Sequence, residues 1–163
     1  MKAAMLWCRA WEEEELSDEV FAERVSELIE TPEGARGFFV ISLASDCAVL
    51  DRLPESLVMQ LRKKGEGVVD LVVRNLAMSS AMAIHHERQA NSNQQAGSER
   101  VIARCIELLR ILEPTSVKLR LERLLKATVG EGEGEDVKFL KNHSYDQEQK
   151  EAIALNINSI AEG

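Results

Sequence analysis

The stretch VVDLVVRNLAMSSAMAIHHER, from Val68 to Arg88, decides the fold class. On a helical wheel one narrow strip collects polar and small residues, namely Asp70, Arg74, Ala77, Ala81, His85 and Arg88. Nearly everything else on this wheel is apolar. We therefore predict a long central helix over residues 67–92, covered by neighbouring helices on most of its circumference.

Helix-start signals lie on both sides of this segment. Ser17 precedes two acids and an apolar stripe at helical spacing, and Thr31 precedes Pro32, which suits a first helical position. Ser98 is predicted to cap a helix that ends near Leu112. Further helices are predicted over residues 54–64, over 117–128 and, with a capping box of Ser144 and Gln147, up to residue 161.

One apolar segment leaves the choice between helix and strand open. Residues 38–43 begin with the run FFVI, which is also typical of a strand. A strand needs a partner, and no other part of the sequence has a similar character. We therefore prefer a helix here.

The composition agrees with a helical protein. The chain has 163 residues, 45% of them hydrophobic, with only 9 glycines and 3 prolines. We predict an all-α fold, a compact single-domain bundle of about six or seven helices spanning residues 1–163. The stretch GEGEGED at 130–136 is interpreted as a flexible acidic linker before the C-terminal helical segment.

Charge and cysteine usage indicate the compartment and exclude some partners. The net charge of -8 argues against a general electrostatic attraction to nucleic acid. The 3 cysteines are far apart, which is typical of a reducing cytoplasm. The N-terminal apolar run contains Arg9 and precedes four glutamates, so no signal peptide is predicted. Asp70 and Arg74 interrupt the longest apolar region, so no membrane span is predicted.

The adjacent histidines near the end of the central helix allow two interpretations. His85 falls on the polar strip and is expected to face solvent, whereas His86 lines up with Asn75 and Ser79 on an otherwise apolar surface. The three polar groups of this line need hydrogen-bond partners if they are buried. Either neighbouring helices supply those partners, or Asn75, Ser79 and His86 line a small ligand cavity between helices.

Known chemistry motifs are missing from the sequence. Adjacent histidines point about 100° apart on a helix, so HHE does not match the HExxH zinc motif. Met78, Met82 and His86 could hold a soft copper ion, but methionines at this spacing are more often core residues. We predict no metal, no cofactor and no catalytic residues, and hence a protein that is not an enzyme.

The best functional lead is the mildly basic middle of the chain, where residues 67–128 carry 9 basic and 6 acidic residues. The exposed faces of its two predicted helices form a candidate partner surface, which consists of Arg100, Arg104, Leu119, Arg120 and Arg123. An exposed leucine among cations suits an acidic, partly apolar protein, so we expect an adaptor. A homo-oligomer, a small-molecule-binding protein and a helix-turn-helix DNA regulator are the alternatives.

The segments NLAMSSAMAIHHERQ (75–89) and AGSERV (96–101) resemble small helical proteins of cyanobacteria that are conserved and uncharacterised. The resemblance covers about residues 68–104. It implies a soluble protein in such a cell, with no assigned chemistry and no site residue to carry over.

Overall fold

The computed structural model describes residues 2–132 and 134–162, and within these ranges every helix or strand assigned is a helix. The predicted all-α class is confirmed, and residues 38–43 are helical. The described ranges contain nine helices rather than six or seven: α1 (Lys2–Glu12), α2 (Asp18–Leu28), α3 (Pro32–Ala44), α4 (Glu55–Lys64), α5 (Glu66–Arg88), α6 (Ser92–Ile111), α7 (Pro114–Thr128), α8 (Glu135–Asn142) and α9 (Gln147–Glu162).

The helices form two compact units, whose boundary falls within α5 between Leu71 and Val72. The first unit contains α1 to α4 and the start of α5. The second contains the rest of α5 together with α6 to α9. The single domain expected over residues 1–163 stays a prediction, because two contact clusters that share one helix do not decide how many parts fold independently.

In the first unit, the predicted caps of α2 and α3 are confirmed. The Ser17 hydroxyl accepts a hydrogen bond from the Val20 backbone N–H at 3.2 Å, and the Thr31 hydroxyl accepts one from Gly34 at 3.0 Å. Each cap satisfies a backbone N–H that has no partner within its helix. The turn from α2 into α3 is tight, because a Cβ built on Gly34 would overlap the carbonyl oxygen of Leu28.

Four aromatic residues contribute to the core of the first unit. The rings of Trp11 and Phe21 stack with their centroids 5.3 Å apart, and the indole N–H of Trp11 donates to the Asp18 carboxylate at 2.8 Å. Phe38 and Phe39 on α3 are fully buried and meet edge to face. Trp11 therefore fixes α1 against α2, with its one polar atom satisfied.

In the second unit, α6 begins earlier in the chain than predicted. The predicted central helix over residues 67–92 and the predicted cap at Ser98 both differ from the structure, in which α5 ends at Arg88 and α6 begins at Ser92. The Asn91 side chain accepts a hydrogen bond from the Gln94 N–H at 3.2 Å and is the actual cap. Only a short turn separates α5 from α6, and Ala90 in this turn has a positive φ of 53°. The added residues are polar because this first stretch of α6 is largely exposed.

Two further boundaries differ from the prediction. The acidic linker was placed at 130–136, but α8 already begins at Glu135. The capping box of α9 lies two residues after the predicted pair. The Asp146 carboxylate accepts from the Gln149 N–H, and the Gln149 side-chain oxygen accepts from the Asp146 N–H, both at 3.0 Å.

The cap of α9 makes the second unit sensitive to acid. Arg88, at 2.7 Å, and then the Gln149 N–H hold the pKa of Asp146 below its usual range. A carboxylate with a lowered pKa stabilises the folded state above its unfolded pKa of about 3.9, and this contribution is lost as the pH falls through the folded value.

Replacing Asp146 with asparagine is expected to reduce the loss of unfolding free energy at acid pH. The amide keeps the cap of α9 but cannot take up a proton in this range. Urea unfolding at neutral and at acid pH should therefore show a smaller loss of stability in Asp146→Asn than in the wild type. Glu151→Gln, an exposed change on the same helix, should lose as much stability at acid pH as the wild type does. If all three proteins lost the same amount, Asp146 would not be the source of the acid sensitivity.

Candidate functional site

The polar line predicted on α5 is not a buried line. Asn75, Ser79 and His86 are all half-buried, and so is His85, whose ring lies 5.4 Å from that of His86. The expected contrast between an exposed His85 and a buried His86 is therefore wrong. Both histidines lie near the C-terminal end of α5, where the helix is less covered than in its middle.

The buried polar group of α5 is the neighbouring serine, Ser80. Its hydroxyl donates to the Leu76 carbonyl oxygen at 2.7 Å and accepts from the side-chain amide of Asn156 at 2.8 Å. About two turns earlier on α9, the Gln149 side-chain amide donates to the Ala81 carbonyl oxygen at 3.2 Å. Two polar side chains of α9 therefore meet α5 with their hydrogen bonds satisfied, which is a structural role.

Small residues explain why α9 approaches α5 here. The sequence leaves two options for Ala77 and Ala81, close approach by a neighbouring helix or exposure to water, and both residues are buried together with Ser80. These three positions are spaced i, i+3 and i+4, so they share one face of the helix. A run of small side chains on one face allows a neighbouring helix to come close. The burial of Ala77 and Ala81 agrees with the option of a neighbouring helix.

The structure places the histidines and acids in no obvious metal site. Among residues 2–132 and 134–162, no group of three or more histidine, cysteine, aspartate or glutamate side chains could hold a metal ion. The Nδ1 atom of His143 lies 2.9 Å from the Phe139 carbonyl oxygen of its own helix end. The metal content of the protein remains a prediction.

The predicted basic partner surface is only partly exposed. Arg104 and Arg120 are 5% and 4% exposed, so neither can belong to an open surface. Arg120 makes a two-pronged ion pair with Asp136, with N–O distances of 2.7 and 2.9 Å. No opposite charge lies four residues from Arg120 on α7, and its partner comes instead from α8, a helix that the sequence did not predict.

The other three residues of the predicted partner surface are exposed to solvent. Arg100 and Arg123 are exposed, and Leu119 is 59% exposed on the outer side of α7. Leu119 and Arg123 are four residues apart, so they lie on the same side of that helix. This part of the predicted surface can be reached by a partner.

An apolar groove that the sequence did not predict lies beside this surface. It has a volume of about 650 Å³ and lies between α6, α7 and α9. One side is the face of α7 that carries Pro114, Val117, Lys118, Leu121, Glu122 and Leu125. Pro114, Lys118 and Glu122 are exposed, so the groove opens to solvent. Predicting it required knowing which helix packs beside α7, and a helical wheel does not contain that information.

Arg110 fixes the end of the groove. Its guanidinium donates to the carbonyl oxygens of Ser159 at 2.8 Å and of Ile160 at 3.4 Å, and it pairs with Glu107 at 2.6 Å. A cation at the C-terminal end of a helix interacts favourably with the unpaired carbonyl groups there. Arg110 thereby holds the last turns of α9, with the groove residues Ile157 and Ile160, against α6.

The protein family described as "uncharacterised conserved protein UCP020893" matches residues 1–160 of this sequence. The chain belongs to that family. The match covers the first unit, the second unit up to Ile160, and all residues of the groove except Ala161. It confirms the predicted resemblance to conserved, uncharacterised proteins, whereas the cyanobacterial source stays a prediction. No curated protein and no solved structure matches the chain significantly.

In this UCP020893 family member, α5 is the one helix of the described ranges that is long and apolar enough to cross a membrane. Half of its most apolar 18-residue window is buried inside the protein, and the core helix of a soluble protein passes the same test. This is weak support for a membrane span, and the cytoplasmic location remains a proposal.

Proposed function

We propose that this protein is a non-enzymatic interaction module that binds an acidic amphipathic helix of a partner protein in the groove between α6, α7 and α9. The open apolar groove is the observation that carries the proposal. Its lining on α7 extends from Pro114 to Leu125. These 11 steps along a helix correspond to about 16 Å, or roughly three turns, which is long enough for the i, i+3, i+4 and i+7 anchors of helix-in-groove recognition.

The charge on α7 favours an acidic partner. All residues of this helix are described, and its exposed cations are Lys118, Arg123 and Lys126 against one acid, Glu122. Arg120 does not contribute, because Asp136 neutralises it. A partner helix with acidic side chains would be attracted to this side of the groove, and the same charges would favour its orientation along α7.

Leu119 extends the apolar contact beyond the groove. Along α7 it lies about 60° around the helix axis from Glu122, which lines the groove. A helix seated in the groove with its acidic flank over Lys118 could therefore touch Leu119. This retains the predicted partner surface in part, with Leu119 and Arg123 as members and Arg104 and Arg120 excluded.

Two other functions have weaker support. Small-molecule binding through Asn75, Ser79 and His86 rests on side chains that are half-buried rather than enclosed. DNA binding by α6 and α7 would use Arg120, whose charge is already paired with Asp136. Association of two copies of the chain through the groove is a possible outcome of the experiment below.

Photo-crosslinking can identify what occupies the groove. A photoreactive amino acid replaces Lys118 at the groove rim, and a matched protein carries it at Leu155, which is 71% exposed and faces away from the groove on α9. We expect the Lys118 probe, and not the Leu155 probe, to capture one protein segment with an apolar face and an acidic flank. Capture of this same chain, of nucleic acid or of nothing at Lys118 would contradict the proposal.

Two substitutions should then weaken the identified complex by different physical effects. Leu119→Ala removes apolar contact and should weaken binding about fivefold, which corresponds to about 1 kcal/mol. Lys118→Glu should mainly slow association, with an effect that shrinks at high salt. Leu155→Ala is the control and should bind like the wild type. Surface binding kinetics at low and high salt separate the two effects; unchanged affinity in both variants would exclude this side of the groove.

A further inference from the structure

A pair of buried thiols lies in the first unit, far from the groove residues in sequence. Cys8 on α1 is 3% exposed, and Cys47, in the segment between α3 and α4, is 8% exposed. A hydrogen bond between the Cys8 and Cys47 side chains shifts the pKa of both thiols. The two side chains are therefore neighbours although 39 positions separate the residues in the chain. A disulfide forms between neighbouring cysteines when a local movement brings their sulfur atoms to bonding distance.

The segment that carries Cys47 is tied to α1 next to Cys8. The Glu12 carboxylate, one turn after Cys8, accepts a hydrogen bond from the Ala48 N–H at 2.6 Å. The Cys47 N–H donates to the Ser45 hydroxyl oxygen at 3.1 Å. The first bond holds the segment that carries Cys47 next to the turn of α1 that carries Cys8, and the second fixes the backbone of that segment locally.

The two thiols differ in how readily they ionise. The hydrogen bond from Cys8, with a smaller contribution from the Val49 N–H, lowers the pKa of Cys47, although burial and Glu12 oppose this. The same hydrogen bond, followed by burial, raises the pKa of Cys8 above its ordinary range. Cys47 is therefore the more thiolate-like sulfur, and thiolates are the form that reacts with oxidants.

We propose that Cys8 and Cys47 form a redox site that hydrogen peroxide converts into an intramolecular disulfide. The Cys47 thiolate attacks one peroxide oxygen, the O–O bond breaks, and Cys47 becomes a sulfenic acid while hydroxide leaves. The Cys8 sulfur then attacks the Cys47 sulfur, the S–O bond breaks, and water leaves. In total, two thiols are oxidised to one disulfide, and one peroxide is reduced to two water molecules.

The third cysteine provides an internal control. Cys105 on α6 is fully buried, and burial raises its pKa to about 12. A thiol with a raised pKa holds little thiolate at neutral pH and reacts slowly. The proposal therefore predicts that two of the three thiols respond to peroxide and that Cys105 does not.

The test is thiol counting on the full chain. Reduced protein is exposed to an excess of hydrogen peroxide, denatured and alkylated, and its intact mass and peptide map are measured. We expect the protein to lose two hydrogen atoms on oxidation and only one cysteine to be alkylated afterwards. The peptide map should contain a linked pair of peptides with Cys8 and Cys47, which dithiothreitol separates. Three alkylated cysteines, a link that includes Cys105, or links only between different chains would overturn the proposal.

Single substitutions assign the order of the two steps. In Cys8→Ser, the Cys47 sulfenic acid has no thiol to react with and should be trapped by dimedone. In Cys47→Ser, dimedone should label Cys8 much less. Cys105→Ala should form the disulfide like the wild type. Equal labelling of the two serine variants would contradict Cys47 as the attacking sulfur, and the wild-type thiol count remains decisive if either variant does not fold.

Discussion

Replacing Arg120 with glutamate is expected to lower the free energy of unfolding by about 3–5 kcal/mol, which is the usual loss when one partner of a buried ion pair is removed. The side chains of Arg120 and Asp136 are 5% and 13% exposed and approach to 2.7 Å. The change leaves Asp136 without its cation and places a second carboxylate beside it. Urea unfolding at neutral pH measures the loss.

Arg123→Glu is the matched control on the same helix. Arg123 is exposed, so reversing its charge should change stability by less than about 1 kcal/mol. A double variant, Arg120→Glu with Asp136→Arg, restores opposite charges and should recover part of the loss. Equal effects of the two single substitutions would show that the Arg120 pair contributes no more than a surface charge does.

Replacing Gly34 with alanine is expected to destabilise the first unit by about 1–3 kcal/mol or more, as overpacking does when a backbone atom cannot move away. The added Cβ would overlap the carbonyl oxygen of Leu28 and meet the Thr31 hydroxyl at 3.0 Å. Leu28 is the last residue of α2, so relief of the overlap requires α2 and α3 to separate at their turn.

Gly97→Ala is the matched control for that change. Gly97 lies within α6, and nothing lies within 4 Å of a Cβ built there. Alanine is preferred over glycine inside a helix by about 0.5–1 kcal/mol, so this variant should be more stable than the wild type. The two substitutions should therefore shift the thermal midpoint in opposite directions. A Gly34→Ala protein as stable as the wild type would contradict the tight turn between α2 and α3.

Local sequence signals predicted most of the helices. Ser17 and Thr31 were assigned as caps because a cap depends on residues three positions apart, and the structure confirms both. Ser98 and Ser144 were assigned by the same rule and are wrong, because Asn91 and Asp146 lie earlier or later in the same polar stretches and make the actual caps. A polar stretch with several capping residues does not show which of them is used.

The candidate site was harder to predict, because it depends on pairs of helices. Arg120 was taken as exposed because no acid lies four residues away on α7, whereas its partner Asp136 lies 16 positions later on a different helix. Ser79 and Ser80 are adjacent, and only the position of α9 decides that Ser80 is the buried one. A wheel gives the direction of a side chain but not the neighbour that it meets.

The contact between Ser80 and Asn156 has a consequence for synthesis on the ribosome. The two residues are 76 positions apart, so α5, α6 and α7 are synthesised before α9. At ordinary elongation rates the delay is roughly 4–15 s, long compared with the formation of a helix. During this interval the small-residue face of α5 and the side of α6 that packs on α9 are uncovered. The nascent second unit is therefore a substrate for chaperones that bind apolar surface, until its last helix docks.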